Sequence, residues 1–182
     1  MSSLIESERL LLREVLDSDV TPAYVAWLND PDVNQFLETR FRTHTADDIL
    51  QYVRAMRQKR ESAFLAIVRK SDRRHLGNLH LGGIDRDVHG TATLALVIGE
   101  KSAWGQGFGS EAIRLAARYA FGPLGLRKLT ARCYADNVAS HKAFLNAGWS
   151  EEGRQRGQFL CNGKYVDAIW LGLARPPQSP PC

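Results

Sequence analysis

The sequence predicts an α+β domain on a mixed, mostly antiparallel sheet of about seven strands and four helices, with one β-α-β crossover. Three observations predict it. Three strand-like segments follow one another between residues 63 and 98 with no helical pattern among them. A glycine-rich loop and a helical pattern come next, and then another strand. The chain closes on two further strand-like segments joined by Cys161-Asn162-Gly163.

The elements follow in order. Leu10-Leu11-Leu12-Arg13-Glu14 reads as the first strand. Asp17 to Asp19 supply a helix cap, Pro22 sits in the first turn, and Tyr24, Trp27 and Leu28 form an apolar stripe. Asn29-Asp30-Pro31-Asp32 breaks that helix. Thr45 caps a second helix to about residue 59, with Ile49, Leu50, Val53 and Met56 on one face. Strands are expected at 63–68, 76–84 and 91–98, with a charged hairpin loop at 69–74 and a turn at 85–90. A third helix runs to Phe121, where Gly122-Pro123 stops it. A strand at 129–134 leads to a fourth helix, capped by Asn137 and ended by Ala147-Gly148. The last strands fall at 151–159 and 166–173. Residues 1–174 thus form a single domain, and the Pro-rich 175–182 a frayed tail.

Bulk properties bound the function. A length of 182 residues suits one domain, and 44% hydrophobic residues suffice for a full core. No apolar run reaches the roughly 18 residues of a membrane span, and the first residues lack the pattern of a signal peptide. A net charge of +4, from 24 basic and 20 acidic residues, is too small an excess to argue for nucleic acid. Cys133, Cys161 and Cys182 have no CxxC spacing and no companion histidine cluster. The expectation is a reduced, cytoplasmic protein without metal, membrane or nucleic-acid partners. A C-terminal edge strand leaves a homodimer open.

The chemistry points to Trp104-Gly105-Gln106-Gly107-Phe108-Gly109-Ser110-Glu111, between a strand and a helix. Glycines remove side chains where backbone N–H groups point outward, and the helix N-terminus adds partial positive charge. The result is an anion cradle suited to a pyrophosphate. A P-loop would need Gly-Lys-Ser/Thr, and no lysine follows Gly109. A dinucleotide-binding fold would need G-x-G-x-x-G near the start of an alternating βαβ array, whereas these glycines run G-x-G-x-G after three consecutive strands. A Gly-rich turn without a ligand is the remaining alternative for the loop alone.

The loop has a distant companion: Asn137 opening a helix, Ser140 three residues on, Phe144 seven on, then Gly148-Trp149. Together the two motifs resemble the GCN5-related N-acetyltransferase (GNAT) superfamily over about residues 4–173. The opening Glu8-Arg9-Leu10-Leu11-Leu12-Arg13 is similar to the branch containing ribosomal-protein N-terminal acetyltransferases. The resemblance implies a GNAT fold with a splayed central strand pair and acetyl-CoA as co-substrate. It implies that backbone groups of Val97, Ile98 and Gly99 bind the pantetheine arm, and amides of Gln106, Gly107, Phe108, Gly109 and Ser110 the pyrophosphate. Asn137 would reach the same arm with Phe144 packed beside it; capping its helix is Asn137's other role, and both are compatible. Trp104 stands where the family motif has Gln or Arg, and Phe144 where many members carry a tyrosine general acid.

Acetyl transfer to an amine requires the amine to lose a proton, the oxyanion to find a donor and the thiolate to leave. An α-amine (pKa about 7.7–8.0) asks less of a base than a lysine-like amine (about 10.4). Ser140 is the expected acid for the thiolate, by resemblance, and Glu100 the expected base, from its place between the strand and the cradle. Trp27, Asn29, Glu38, Arg40, His80 and Tyr134 are the expected acceptor-binding residues. The acceptor is a protein α-amine, an amino sugar that can be nucleotide-linked, or a small amine. A non-catalytic acyl-CoA-binding or sensing domain is the alternative function.

Overall fold

The computed structural model describes residues 5–176. Most of the expected tail and Cys182 lie outside those residues. The elements are β1 (Ile5–Glu6), β2 (Leu10–Glu14), α1 (Pro22–Asn29), α2 (Pro31–Asn34), α3 (Ala46–Gln58), β3 (Ser62–Arg69), β4 (His75–Asp85), β5 (Thr91–Ile98), α4 (Phe108–Phe121), β6 (Lys128–Tyr134), α5 (Val138–Asn146), β7 (Ser150–Cys161) and β8 (Lys164–Ala174). They build one eight-stranded sheet in the order β1-β2-β3-β4-β5-β6-β8-β7. Every neighbouring pair is antiparallel except β5–β6.

The sheet therefore has one strand more than expected, and five α-helices rather than four. The extra strand is two residues long, held by Ile5↔Leu12 and Glu6↔Leu11, too short to show a period of two. The extra helix comes from Asn29-Asp30-Pro31-Asp32, which both ends α1 and starts α2. The Asp30 side chain accepts the Asp32 N–H, and Pro31 at the first helical position lacks an N–H that would need a partner. Asp17 to Asp19 do not cap α1 but form a 3-10 turn. Asp19 is drawn inward instead: it pairs with Arg13 at 2.6 Å and accepts the Leu16 N–H at 2.7 Å. Thr21 caps α1 through the Tyr24 N–H.

Strand alternation sorts the core onto the two faces of the sheet. Leu10, Leu12, Leu65, Ile67, Leu79, Leu94 and Leu129 pack with Ile113, Ala116 and Phe144, on the side of α4 and α5. Leu11, Phe64, Ala66 and Val68 pack on the other side with Tyr24, Trp27, Ile49 and Val53, from α1 and α3. This second layer covers β2, β3 and β4 and reaches β5 only at Val97, leaving Thr93 and Ala95 of β5 and Arg132 of β6 exposed on the same face. The Thr93 and Thr130 hydroxyls lie 3.2 Å apart across that bare strip. Cys133 is buried in the α4–α5 core, which pushes its thiol up to about 11. No helix among the described residues is long and apolar enough to cross a membrane.

Candidate active site

The central feature is the parting of β5 from β6. They pair only at Thr91↔Lys128, Ala92↔Leu129 and Thr93↔Thr130. Beyond that point β5 stays with β4 as far as Gly77↔Ile98, and β6 stays with β8 as far as Tyr134↔Ala168. Each strand is held by its outer neighbour, so a wedge opens between them.

Strand parity decides which backbone groups face the wedge. The Gly99 N–H donates to Leu76 O at 2.9 Å, so residues 99 and 97 turn their backbone toward β4. Leu96 and Ile98 turn theirs toward the opening. Of the expected trio, Val97 and Gly99 are thus engaged in the sheet, and Ile98 faces the wedge with Leu96. The Ile98 carbonyl accepts the Trp104 indole N–H at 2.8 Å. Trp104 has a structural use that the sequence did not reveal: it ties the loop to the strand end and leaves the Ile98 N–H as the donor there.

The glycine loop lies directly beyond. Gly105 and Gly107 have φ of +73° and +79°, the left-handed region that side chains resist. Gly107 is the N-cap of α4, and its carbonyl accepts the Glu111 N–H at 3.1 Å. The amides of Phe108, Gly109 and Ser110 precede that first helical bond and are the orphan donors of a helix start. A Cβ on Gly109 would sit 3.8 Å from Ala143 Cβ and 4.0 Å from Ile98 Cγ1. The start of α4, the body of α5 and the end of β5 therefore converge at this glycine.

Arg9 braces the loop from outside. Its guanidinium donates to Gln106 O at 3.1 Å, lies 4.5 Å above the Phe108 ring, and pairs with Glu111. Burial pushes the Glu111 carboxyl up, but hydrogen bonds from Ser7 and Arg9 outweigh it and hold the group below its ordinary value. Sequence reasoning missed this brace, because residues 9 and 111 lie far apart in the chain.

Asn137 caps α5 by accepting the Ser140 N–H at 3.0 Å. Ser140 is half-buried in the first turn, and Phe144 lies fully inside, edge-on to Trp149 at 4.9 Å. Glu100 is an anchor: its carboxylate accepts from the Ser102 hydroxyl at 2.6 Å and pairs with Arg74 at 2.6 Å. The Ser102 hydrogen bond, ahead of the opposing effect of burial, and the Arg74 charge hold its carboxyl below the ordinary value. A carboxylate held this way is a weak base.

On the opposite face, three expected acceptor residues form one network. Tyr134 donates to Glu38 Oε1 at 2.7 Å and accepts from Arg40 at 2.9 Å. Its ring stacks on Phe159 at 4.1 Å, and Phe36 closes the side. Burial first, then the Glu38 hydrogen bond, raise the Tyr134 phenol, so it stays protonated as a donor. The other three sit elsewhere. Trp27 is a core residue whose ring lies so tightly on Gly99 that a Cβ there would come within 2.1 Å of Cδ2. Asn29 has both donors on Val25 O and His44 O, and its oxygen on the His44 N–H. It fastens the α1–α3 connection. His80 meets the Ser62 hydroxyl at 2.9 Å and the Phe64 edge on β3, and burial lowers its pKa.

Residues 9–150 match the family described as Acetyltransferase (GNAT) domain. The chain belongs to that family. As a GNAT domain it is an acetyl-CoA-dependent N-acetyltransferase. The uncharacterized N-acetyltransferase YoaA of Bacillus subtilis is 27% identical over 177 residues, covering 97% of this chain and 99% of YoaA. Solved GNAT structures share the fold. The spermidine N-acetyltransferase of Vibrio cholerae, in complex with CoA and spermine, superposes with a TM-score of 0.81 at 19% identity, over 92% of this chain and 96% of that one. RimJ of Mycobacterium smegmatis, in complex with CoA-disulfide, superposes with a TM-score of 0.80 at 17% identity, over 93% and 85%.

Proposed function

We propose that this GNAT domain moves the acetyl group directly from acetyl-CoA to a primary amine, both bound at once, without an acetylated protein intermediate. The observation that carries this reading is the wedge between β5 and β6 directly in front of the α4 N-terminus. A thioester can enter it from the α4–α5 side while an amine approaches across the bare face. Acetyl-CoA supplies the activated acyl group. The amides from Gln106 to Ser110 hold its pyrophosphate. Leu96, Ile98 and the Asn137 amide line the path of the pantetheine arm, with Phe144 as its apolar floor. The Ile98 N–H polarises the thioester carbonyl.

The amine nitrogen forms the new C–N bond as the C–S bond breaks. Ser140 gives its hydroxyl proton to the leaving sulfur and regains one from solvent. Glu38, hydrogen-bonded to Tyr134 on the acceptor face, takes the proton of the incoming ammonium before attack. The second N–H proton, lost as the tetrahedral intermediate collapses to the amide, passes to solvent in exchange for the one that refills Ser140. The Vibrio cholerae relative acts on spermidine, which supports a small amine; a protein α-amine or an amino sugar fits the same chemistry.

Free-CoA release from acetyl-CoA, read across N-terminal peptides, amino sugars and polyamines, tests this. Turnover is expected with at least one class. Ser140→Ala should lower kcat about tenfold or more, with acetyl-CoA affinity retained. Cofactor binding with no turnover on any class would overturn the reading.

A further inference from the structure

Arg132 lies on the uncovered face of β6, between Thr130 and Tyr134 in the alternation of the strand. It is exposed, yet it is placed: its guanidinium lies 4.9 Å from the Phe159 ring centre and 5.5 Å from that of Trp170. Among the described residues it forms no ion pair. The Phe159 ring stacks on Tyr134 at 4.1 Å, and Arg40 lies 5.2 Å from the Tyr134 ring. Two guanidiniums thus rest on one aromatic stack beside the wedge. Arg40 is opposed by Glu38 through the Tyr134 hydroxyl, whereas no carboxylate of the described residues lies within ion-pair distance of Arg132; Glu152, on the same face, is taken by Lys128.

A guanidinium laid on rings loses little freedom on binding and keeps its N–H edge for a planar or tetrahedral anion. This is a poor surface for a polycation, since the second ammonium of a polyamine would meet like charge. We infer that the acceptor is a primary amine carrying an anionic group, carboxylate or phosphate, which Arg132 binds while the amine reaches the wedge. The inference rests on the acetyl-transfer reading for the identity of the guest.

The test compares matched amines by free-CoA release: glucosamine 6-phosphate with glucosamine, glycyl-glutamate with glycyl-glutamine, and spermidine as the polycation. The anionic member of at least one pair should show a kcat/KM about tenfold to a hundredfold above its neutral partner. Arg132→Gln should bring that ratio close to one with unchanged acetyl-CoA affinity. Preference in the first pair alone identifies a phosphate, and in the second alone a carboxylate. Preference for spermidine or the neutral members, or a ratio that survives Arg132→Gln, overturns the inference. If no acceptor turns over, the transfer reading fails separately, and inorganic phosphate is titrated into CoA-saturated protein with tryptophan fluorescence as readout. A saturable signal lost in Arg132→Gln upholds the subsite; no signal, or one unchanged by the substitution, overturns it.

Discussion

A Gly107→Glu variant is expected to fold and to lose acetyl-CoA affinity by more than about a hundredfold. Gly107 caps α4 at a φ of +79°, where a side-chain-bearing residue costs about 1–2 kcal/mol. That cost is local, and a Cβ there meets nothing closer than Arg9 Nη2 at 3.8 Å, so the fold accommodates it. The added carboxylate then stands at the helix N-terminus, where it competes for the same orphan amides and repels a pyrophosphate. Titration calorimetry with acetyl-CoA measures the loss, and circular dichroism confirms the fold. Gly107→Ala separates strain from charge: it should weaken binding much less. Undiminished affinity in folded Gly107→Glu would refute the cradle.

Gly99→Ala should destabilise the protein by about 2–3 kcal/mol through overpacking. The new methyl would lie 2.1 Å from Trp27 Cδ2 and 2.4 Å from Cγ, in a buried cluster with Tyr24 and His75 that cannot simply move aside. Trp27→Leu alone also costs stability, by opening a cavity. In the double variant the clash is gone, so the combined loss in urea denaturation should be clearly smaller than the sum. Strict additivity would show that Trp27 does not roof this end of β5.

The order of strands and helices was legible because each long element carries its own period and stop signals. The Thr45 and Asn137 caps and the glycines after Trp104 stand where the local pattern places them. The wedge was expected only through family resemblance. It depends on β8 claiming β6 and β4 claiming β5, and β8 follows β6 through a helix and another strand. The same holds for Glu100, whose partner Arg74 comes from a neighbouring hairpin. Asn29 looked like a ligand group because it sits in a segment of aromatic and acidic residues that could grip a polar acceptor; the fold uses it as a clasp on His44. Arg132 was within reach of the sequence. It is two residues before Tyr134 on a strand, so the two share a face, and only the aromatic pair from β7 and β8 was invisible.

The central claim is that acetyl-CoA lies across the α4 N-terminus with its thioester in the wedge between β5 and β6. A crystal structure of the protein with acetyl-CoA bound tests it most directly. The account predicts pyrophosphate oxygens about 2.9 Å from the Phe108, Gly109 and Ser110 amides and the thioester carbonyl on the Ile98 N–H. A pyrophosphate bound away from α4, or a thioester outside the wedge, would contradict it.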